Sequence, residues 1–194
     1  ELNARLAQNL TDKGVEATAD ETTTVLINKV ADIQSGGFDV DAYFEQKFNE
    51  VTKNGTETNY MSMFNNKYID DVAFKPTHNM QPINATNMFN SCRITNLKQI
   101  LDDRGVTLDT SKSTSFQNFI AYSTITHLPC ISLESCTYAP NIFSHATQLK
   151  YIEKLITNKN SGWQNSSFVQ CILLETIEEI EGEIGTSWNI SQSP

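Results

Sequence analysis

The chain has 194 residues and a formal net charge of -9, with only 14 Lys and Arg. Nucleic acids and anionic membranes bind clustered basic residues, so these scattered ones argue against both as partners. The sequence shows neither an apolar run long enough to cross a membrane nor a basic-then-apolar leader, and neither a span nor a retained signal peptide is expected.

The N-terminal segment, residues 1–37, has the pattern of two short helices. Apolar residues recur every three or four positions along it, which is the spacing of one helical face. The two faces comprise Leu2, Leu6 and Leu10, then Leu26, Val30 and Ile33. Thr18 followed by Glu21 is a candidate capping box, and Gly36 with Gly37 ends the second helix. The prediction is a helical hairpin that caps the rest of the chain.

A bridging segment, residues 38–58, carries a further helical face. Val40, Phe44, Phe48 and Val51 share that face, and Asn54 with Gly55 follows as a stop signal. We expect a helix that covers the first unit of the region beyond it.

The third region, residues 59–194, contains an internal repeat. Three frames begin at Phe119, Phe143 and Phe168, which lie 24 and 25 residues apart, and apolar or small residues follow each at steps of three. The frames continue as Tyr122, Ile125, Leu128 and Ile131; as Ala146, Leu149, Ile152 and Leu155; and as Cys171, Leu174, Ile177 and Ile180. Two looser frames, around Phe64 and Phe89, bring the count to about five units. The period of 24–25 residues lies in the range of leucine-rich repeats.

The Phe, Cys, Leu and Ile positions, with the run Asn87 to Cys92 and the run Leu108 to Ser111, resemble the BspA-like leucine-rich repeats of bacterial surface and prophage-encoded proteins. Within that resemblance, Tyr122 and Ala146 replace the usual Cys. It implies an α+β fold: a leucine-rich-repeat solenoid of about five units of 24–25 residues with short strands, preceded by the helical hairpin. Such repeats serve as binding or structural surfaces.

The N-terminal segment also resembles the N-terminal segments of phage tail and other minor structural proteins, from Leu6 to Ile33. Two interpretations stay open for it. It caps the repeat region, or it is an assembly module that forms a homo-oligomer through residues 1–36.

Residues that could carry catalysis or bind a metal form no recognisable motif. Cys92 and Cys171 share one repeat offset and are expected in the core. Cys130 and Cys136 have no zinc spacing; we expect free thiols, with a disulfide between them left open. His78, His127 and His145 are dispersed, and we expect surface or edge roles for the last two. No enzyme activity, cofactor or metal is predicted.

Two acidic stretches have simple structural interpretations. Asp102 and Asp103 are adjacent before Gly105, which predicts a solvated turn. The five glutamates from Glu175 to Glu183 alternate with apolar residues and predict the exposed side of a last repeat rather than a calcium site.

The sequence therefore predicts a non-enzymatic protein that presents an extended surface to a protein or glycan on a host or bacterial surface. The expected settings are a prophage tail structure or a bacterial cell surface, hence a virion or an extracellular location; host adhesion and an enzyme-associated domain are the alternatives. Exposed aromatic rings suit such contacts, and the candidates are Tyr138, Trp163 and Trp188.

Overall fold

The computed structural model describes residues 2–12, 15–36, 39–158 and 167–182. The chain forms two compact units, Glu1–Tyr43 and Phe44–Pro194. The described helices are α1 (Leu2–Thr11), α2 (Thr23–Gly36), α3 (Val40–Val51) and α4 (Leu97–Arg104), with one 3-10 turn at Lys53–Gly55. The described strands are β1 (His127–Leu128), β2 (Ile131–Ser132), β3 (Tyr151–Thr157) and β4 (Thr176–Gly182).

The two predicted helices of the first unit are confirmed as α1 and α2. Ala7, Leu10 and Leu26 form their small buried cluster. The cap of α2 is Thr22 rather than Thr18, since the Thr22 hydroxyl accepts the Val25 amide proton at 3.3 Å. The predicted capping box instead closes the preceding turn, where Glu21 accepts from the Thr18 amide at 3.0 Å.

The helix predicted in the bridging segment is also confirmed, as α3. It begins after Asp39, whose carboxylate accepts the Ala42 amide proton at 2.9 Å, as an N-cap does. In the second unit, the Phe48 ring is buried and stacks on Phe64 with ring centroids 5.8 Å apart. This contact covers the first part of the core, as expected.

The sheet is wholly parallel. β3 lies at its centre, with β1 and β2 pairing to successive parts of one edge and β4 to the other edge. Pro129 separates β1 from β2, because proline has no amide proton to donate to a ladder.

The predicted leucine-rich-repeat solenoid of about five strand-bearing units is wrong. The described residues contain four strands in a single sheet, and these come from only three segments of the chain, 127–132, 151–157 and 176–182. From 59 to 126 the segments meet through isolated parallel bridges, such as Asn59 with Asn84 and Asn84 with Ser115. The physical reason is that apolar residues at steps of three fit a corner as well as a strand, so this spacing alone does not decide which segments extend into strands.

Most apolar residues of the repeat nevertheless form one continuous core, although Leu174 and Ile177 are only partly buried and Ile180 is 41% exposed. Phe89, Phe119, Phe143 and Phe168 are all buried within it. The strand register confirms the predicted equivalence of ladder positions, since Leu128 pairs with Ile152, and Ile152 with Ile177.

Helix α4 was not predicted, and the solvated turn expected at Asp102 and Asp103 is wrong. Both residues belong to the helix, which ends at Gly105 in a left-handed conformation. The Asn96 side chain caps its start by accepting the Gln99 amide proton at 3.0 Å. Lys98 pairs with Asp102 at 2.7 Å and the Gln99 side chain donates to Asp103 at 2.7 Å, so both aspartates interact along the helix surface.

Candidate binding surface

Four residues with a left-handed backbone follow one another across neighbouring segments of the second unit. We call Ser91, Tyr122, His145 and Gln170 the turn column; their φ angles are 57°, 58°, 59° and 60°. Backbone hydrogen bonds hold them in register: the Tyr122 amide donates to the Ser144 carbonyl at 3.2 Å, and the His145 amide to the Val169 carbonyl at 2.7 Å.

The turn column carries a pair of stacked rings, of which Tyr122 is exposed and His145 is half-buried. Tyr122 is 61% exposed. Its ring centroid lies 4.6 Å from that of His145, with the planes 20° apart. His145 Nδ1 and the Ser144 hydroxyl lie 2.7 Å apart, a hydrogen bond that fixes the imidazole orientation. The pair thus offers a preorganised aromatic surface to solvent.

A left-handed backbone is unfavourable for a bulky residue, and observed strain of this kind is associated with functional sites. The same turns contain a second left-handed column filled by short polar residues: Ser62, Asn87, Asn118 and Asn141. There the Asn118 amide donates to the Asn87 side chain at 3.1 Å. Asparagine and histidine are both common in this conformation, so it is the tyrosine of the turn column that stands out.

The sequence interpretation missed Tyr122 because its frame was wrong by one residue. It aligned Phe119 with Phe143 and so placed Tyr122 on the buried ladder. In the structure the Ile120 amide donates to the Ile142 carbonyl, which puts Ile120 beside Phe143. Ser123, rather than Tyr122, therefore occupies the buried ladder position in line with Ala146.

A signal for the correct frame is present in the sequence. The left-handed residues Asn118 and Asn141 lie 23 residues apart, and aligning on them gives the observed turn register. The strands keep the 24-residue spacing, as in His127 with Tyr151. The later segment therefore holds one more residue between Ala146 and Tyr151 than the earlier segment holds between Ser123 and His127.

A second surface lies on the sheet and is charged. We call it the strand face, comprising His127, Tyr151, Lys154, Glu178, Glu179 and Glu181. The Lys154 ammonium contacts Glu179 at 2.8 Å and Glu181 at 2.6 Å. The Tyr151 hydroxyl donates to the Glu178 carboxylate. Glu175, Glu178, Glu179 and Glu181 are exposed, in agreement with the predicted solvated acidic side, and Glu183 lies outside the described residues.

These contacts raise the pKa values of two groups on the strand face. The carboxylates of Glu179 and Glu181 raise the pKa of Lys154, because they stabilise the ammonium form. The hydrogen bond to Glu178 raises the pKa of Tyr151. Both groups therefore remain protonated at neutral pH, and they are held as structural partners rather than as bases.

The cysteines provide no activated nucleophile. All four are free thiols, and Cys92, Cys136 and Cys171 are buried. Burial raises the pKa of Cys92 and Cys171 to about 12 and that of Cys136 to about 11. Cys130 lines a shallow cavity beside Lys154 and Glu153, and burial raises its pKa as well. Since the thiolate is the nucleophilic form, thiols with raised pKa values are poor nucleophiles at neutral pH.

Of the three aromatic residues predicted as binding candidates, Tyr138 lies within the described residues. Tyr138 is 45% exposed and pairs with Ser115, in a different column from Tyr122 and His145. Trp163 and Trp188 lie outside the described residues.

Comparison with known proteins gave no match among family models, curated proteins or solved structures. Within the described ranges, no helix is long and apolar enough to cross a membrane. The same ranges contain no group of three His, Cys, Asp or Glu side chains that could hold a metal ion.

Proposed function

We propose that this protein is a non-enzymatic binding protein that presents the turn column to a protein or glycan on a host or bacterial surface, as part of a prophage tail structure or a bacterial cell surface. The observation that carries the proposal is the exposed Tyr122 and His145 stack, held on a left-handed backbone. Rigid aromatic rings beside short polar side chains are typical of adaptable binding surfaces.

The chemistry of the titratable groups also favours binding over catalysis. The described cysteines have raised pKa values, and Lys154 is neutralised by two carboxylates. A cysteine or lysine that acts as a catalytic nucleophile or base needs a pKa lowered towards the working pH.

The test is a binding screen of the full chain against glycans and purified surface proteins of bacterial and host cells. Tyr122→Ala is compared with Tyr68→Ala, since Tyr68 is 70% exposed and lies outside the turn column. We expect a bound partner that Tyr122→Ala loses and Tyr68→Ala keeps. Absence of every partner, or equal binding by both variants, contradicts the proposal.

Self-assembly through residues 1–36 is a second candidate property, favoured by apolar exposure in the first unit. Leu2 is 70% and Ile27 is 58% exposed, although both lie in helices. Contiguous exposed apolar surface marks interfaces between proteins, and Leu2 and Ile27 are the residues through which we propose the contact between copies.

Light scattering on the full chain tests this second property. We expect a defined oligomer that becomes a monomer when Leu2 and Ile27 are changed to Lys, while Tyr68→Lys leaves the oligomer intact. A monomer already in the unchanged chain refutes assembly and leaves the capping interpretation of this segment.

A further inference from the structure

Strand β4 is an edge of the sheet, and its outer side has no neighbouring strand among the described residues. Its inner side pairs in parallel with β3 along the whole of Thr176–Gly182. Strands of parallel sheets are ordinarily buried on both faces, yet every residue of β4 except the partly buried Ile177 is exposed. We call the outer side of β4 the open edge. An edge of this kind presents backbone amide and carbonyl groups to a further strand.

The open edge leaves apolar side chains of the last segment in water. Leu155 of β3 is fully buried between its partners on both sides, whereas Ile180, its register partner on β4, is 41% exposed. Ile172 and Leu173, in the turn before β4, are exposed as well. The residues at these two positions in the preceding segment are polar. A segment that followed the course of residues 172–180 would remove this apolar surface from water, which favours its addition.

The open edge is also strongly acidic. Residues 172–182 contain four glutamates and no Lys or Arg. Lys154 of β3 contacts two of these glutamates, and its single charge leaves the edge with a negative surplus. A second copy of this chain fits such an edge poorly, because pairing two open edges would bring glutamates against glutamates. A basic segment has the complementary charge.

The inner side of β4 shows which sequence a neighbouring strand needs. The apolar residues of β3 lie in register with those of β4, and Lys154 lies in register with Glu179 at a contact of 2.8 Å. Lys150 lies beside Glu175, whose amide donates to the Lys150 carbonyl at 3.0 Å. A parallel neighbour of β4 therefore needs apolar residues three positions apart, with lysine or arginine between and before them.

We propose that the open edge binds a basic, extended segment of a partner protein as an additional parallel strand. Its apolar residues lie against Ile177 and Ile180, and its lysines or arginines lie beside the glutamates of residues 175–181. Backbone hydrogen bonds provide affinity, and the charge pattern selects the partner. This interaction surface is separate from the turn column and goes beyond the proposed function.

The experiment measures the binding of two synthetic peptides to the full chain by fluorescence anisotropy at neutral pH. The first peptide has the sequence of residues 147–158 with Glu153→Lys, because Glu153 would otherwise lie beside Glu178. The second keeps Glu153 and carries Lys150→Glu and Lys154→Glu. We expect the first peptide to bind, the second to bind at least about tenfold more weakly, and binding of the first to weaken between about 0.1 M and 1 M salt.

A charge variant of the full chain locates the bound peptide. Glu175→Gln combined with Glu178→Gln reduces the negative charge of the open edge and leaves the ion pairs of Lys154 in place. This variant should bind the basic peptide at least about fivefold more weakly. The matched control is Glu16→Gln combined with Glu50→Gln, which makes the same change of charge at exposed positions away from β4 and should bind as the unchanged chain does.

An apolar variant tests the same location without changing the charge. Ile180→Thr keeps a β-branched residue in the strand and should weaken binding of the basic peptide by about threefold or more. Because Ile180 is already exposed, we expect circular dichroism and thermal melting to show an intact fold. The control is Val72→Thr, at a residue that is 54% exposed and lies outside the sheet; it should leave the affinity unchanged.

Three results overturn the inference. The first is that the basic peptide does not bind, or that the two peptides bind equally well. The second is that binding responds no more to the open-edge variants than to their controls. The third is an oligomer of the full chain that Ile180→Thr dissociates and that Leu2→Lys with Ile27→Lys leaves intact, since a second copy would then occupy the open edge. None of these results bears on the turn column, which is tested separately by Tyr122→Ala.

Discussion

The turn column and the strand face are built on the same segments of chain, only a few residues apart, yet their chemistry differs. His127 of the strand face comes five residues after Tyr122 of the turn column, and Tyr151 comes six residues after His145. The strand face carries ion pairs such as Lys154 with Glu179. The turn column has no acid, Lys or Arg.

The difference follows from backbone geometry. An exposed strand position has a negative φ that any residue can adopt, so long charged residues are accommodated there at little cost. A left-handed turn position favours glycine or asparagine. An aromatic residue at such a position is not required by the fold, which makes the turn column, rather than the strand face, the surface on which the proposed function depends.

The largest predicted effect concerns the core on which both surfaces depend. Phe143→Ala should cost about 3 to 5 kcal/mol, because a buried ring is lost and a cavity remains. Phe143 is fully buried, with its ring centroid 4.9 Å from that of Phe168. Chemical denaturation measures the change. Tyr68→Ala, on an exposed ring, should stay within about 0.5 kcal/mol; equal effects would mean that Phe143 does not lie in the core.

A substitution expected to raise stability by an intermediate amount tests the alignment of Ser123, rather than Tyr122, with Ala146. The Ser123 hydroxyl is buried without a hydrogen-bond partner, and Ala146 occupies the corresponding position in the next segment. Ser123→Ala should therefore stabilise the protein by about 1 kcal/mol, measured by chemical denaturation.

Ser113→Ala is the control for that substitution. Ser113 is equally buried, but its hydroxyl donates to the Pro82 carbonyl. Its replacement should lower stability by about 1 kcal/mol, since a satisfied hydrogen bond is lost. Stabilisation by Ser113→Ala, or destabilisation by Ser123→Ala, would contradict the register described above.

The smallest predicted effect belongs to the strand face. Lys154→Met should lower the unfolding midpoint slightly at low ionic strength, and the difference should vanish in about 1 M salt, where charges are screened within about 3 Å. Because the pKa of Lys154 is raised on folding, its contribution is present below 10.5 and is lost as the pH rises above that value.

Thermal melts at low and high salt, and at neutral and alkaline pH, measure this effect. Tyr122→Phe in the turn column is the uncharged comparison. It should change the unfolding midpoint by the same amount at every salt concentration. A salt-independent loss for Lys154→Met would show that its alkyl chain, rather than its charge, stabilises the strand face.

Much of the local structure could be predicted from the sequence. Apolar residues at helical spacing indicated α1, α2 and α3, and the ladder gave the pairing of Leu128 with Ile152. Helix α4 was also within reach, because Asn96 before Leu97 and Gly105 after Arg104 are ordinary start and stop signals. Such signals act within one or two turns of chain, where neighbours in sequence are neighbours in space.

The tertiary structure alone decided which ladder residues became strands and where Tyr122 lies. An apolar step of three is compatible with a strand edge or a corner, and a shift of one residue leaves much of the pattern intact. Hydrogen bonds to segments on either side, such as Ser91 to Ala121 and Tyr122 to Ser144, fix the choice. These partners are distant in sequence, so the sequence determined the core, whereas contacts between segments determined that Tyr122 faces solvent.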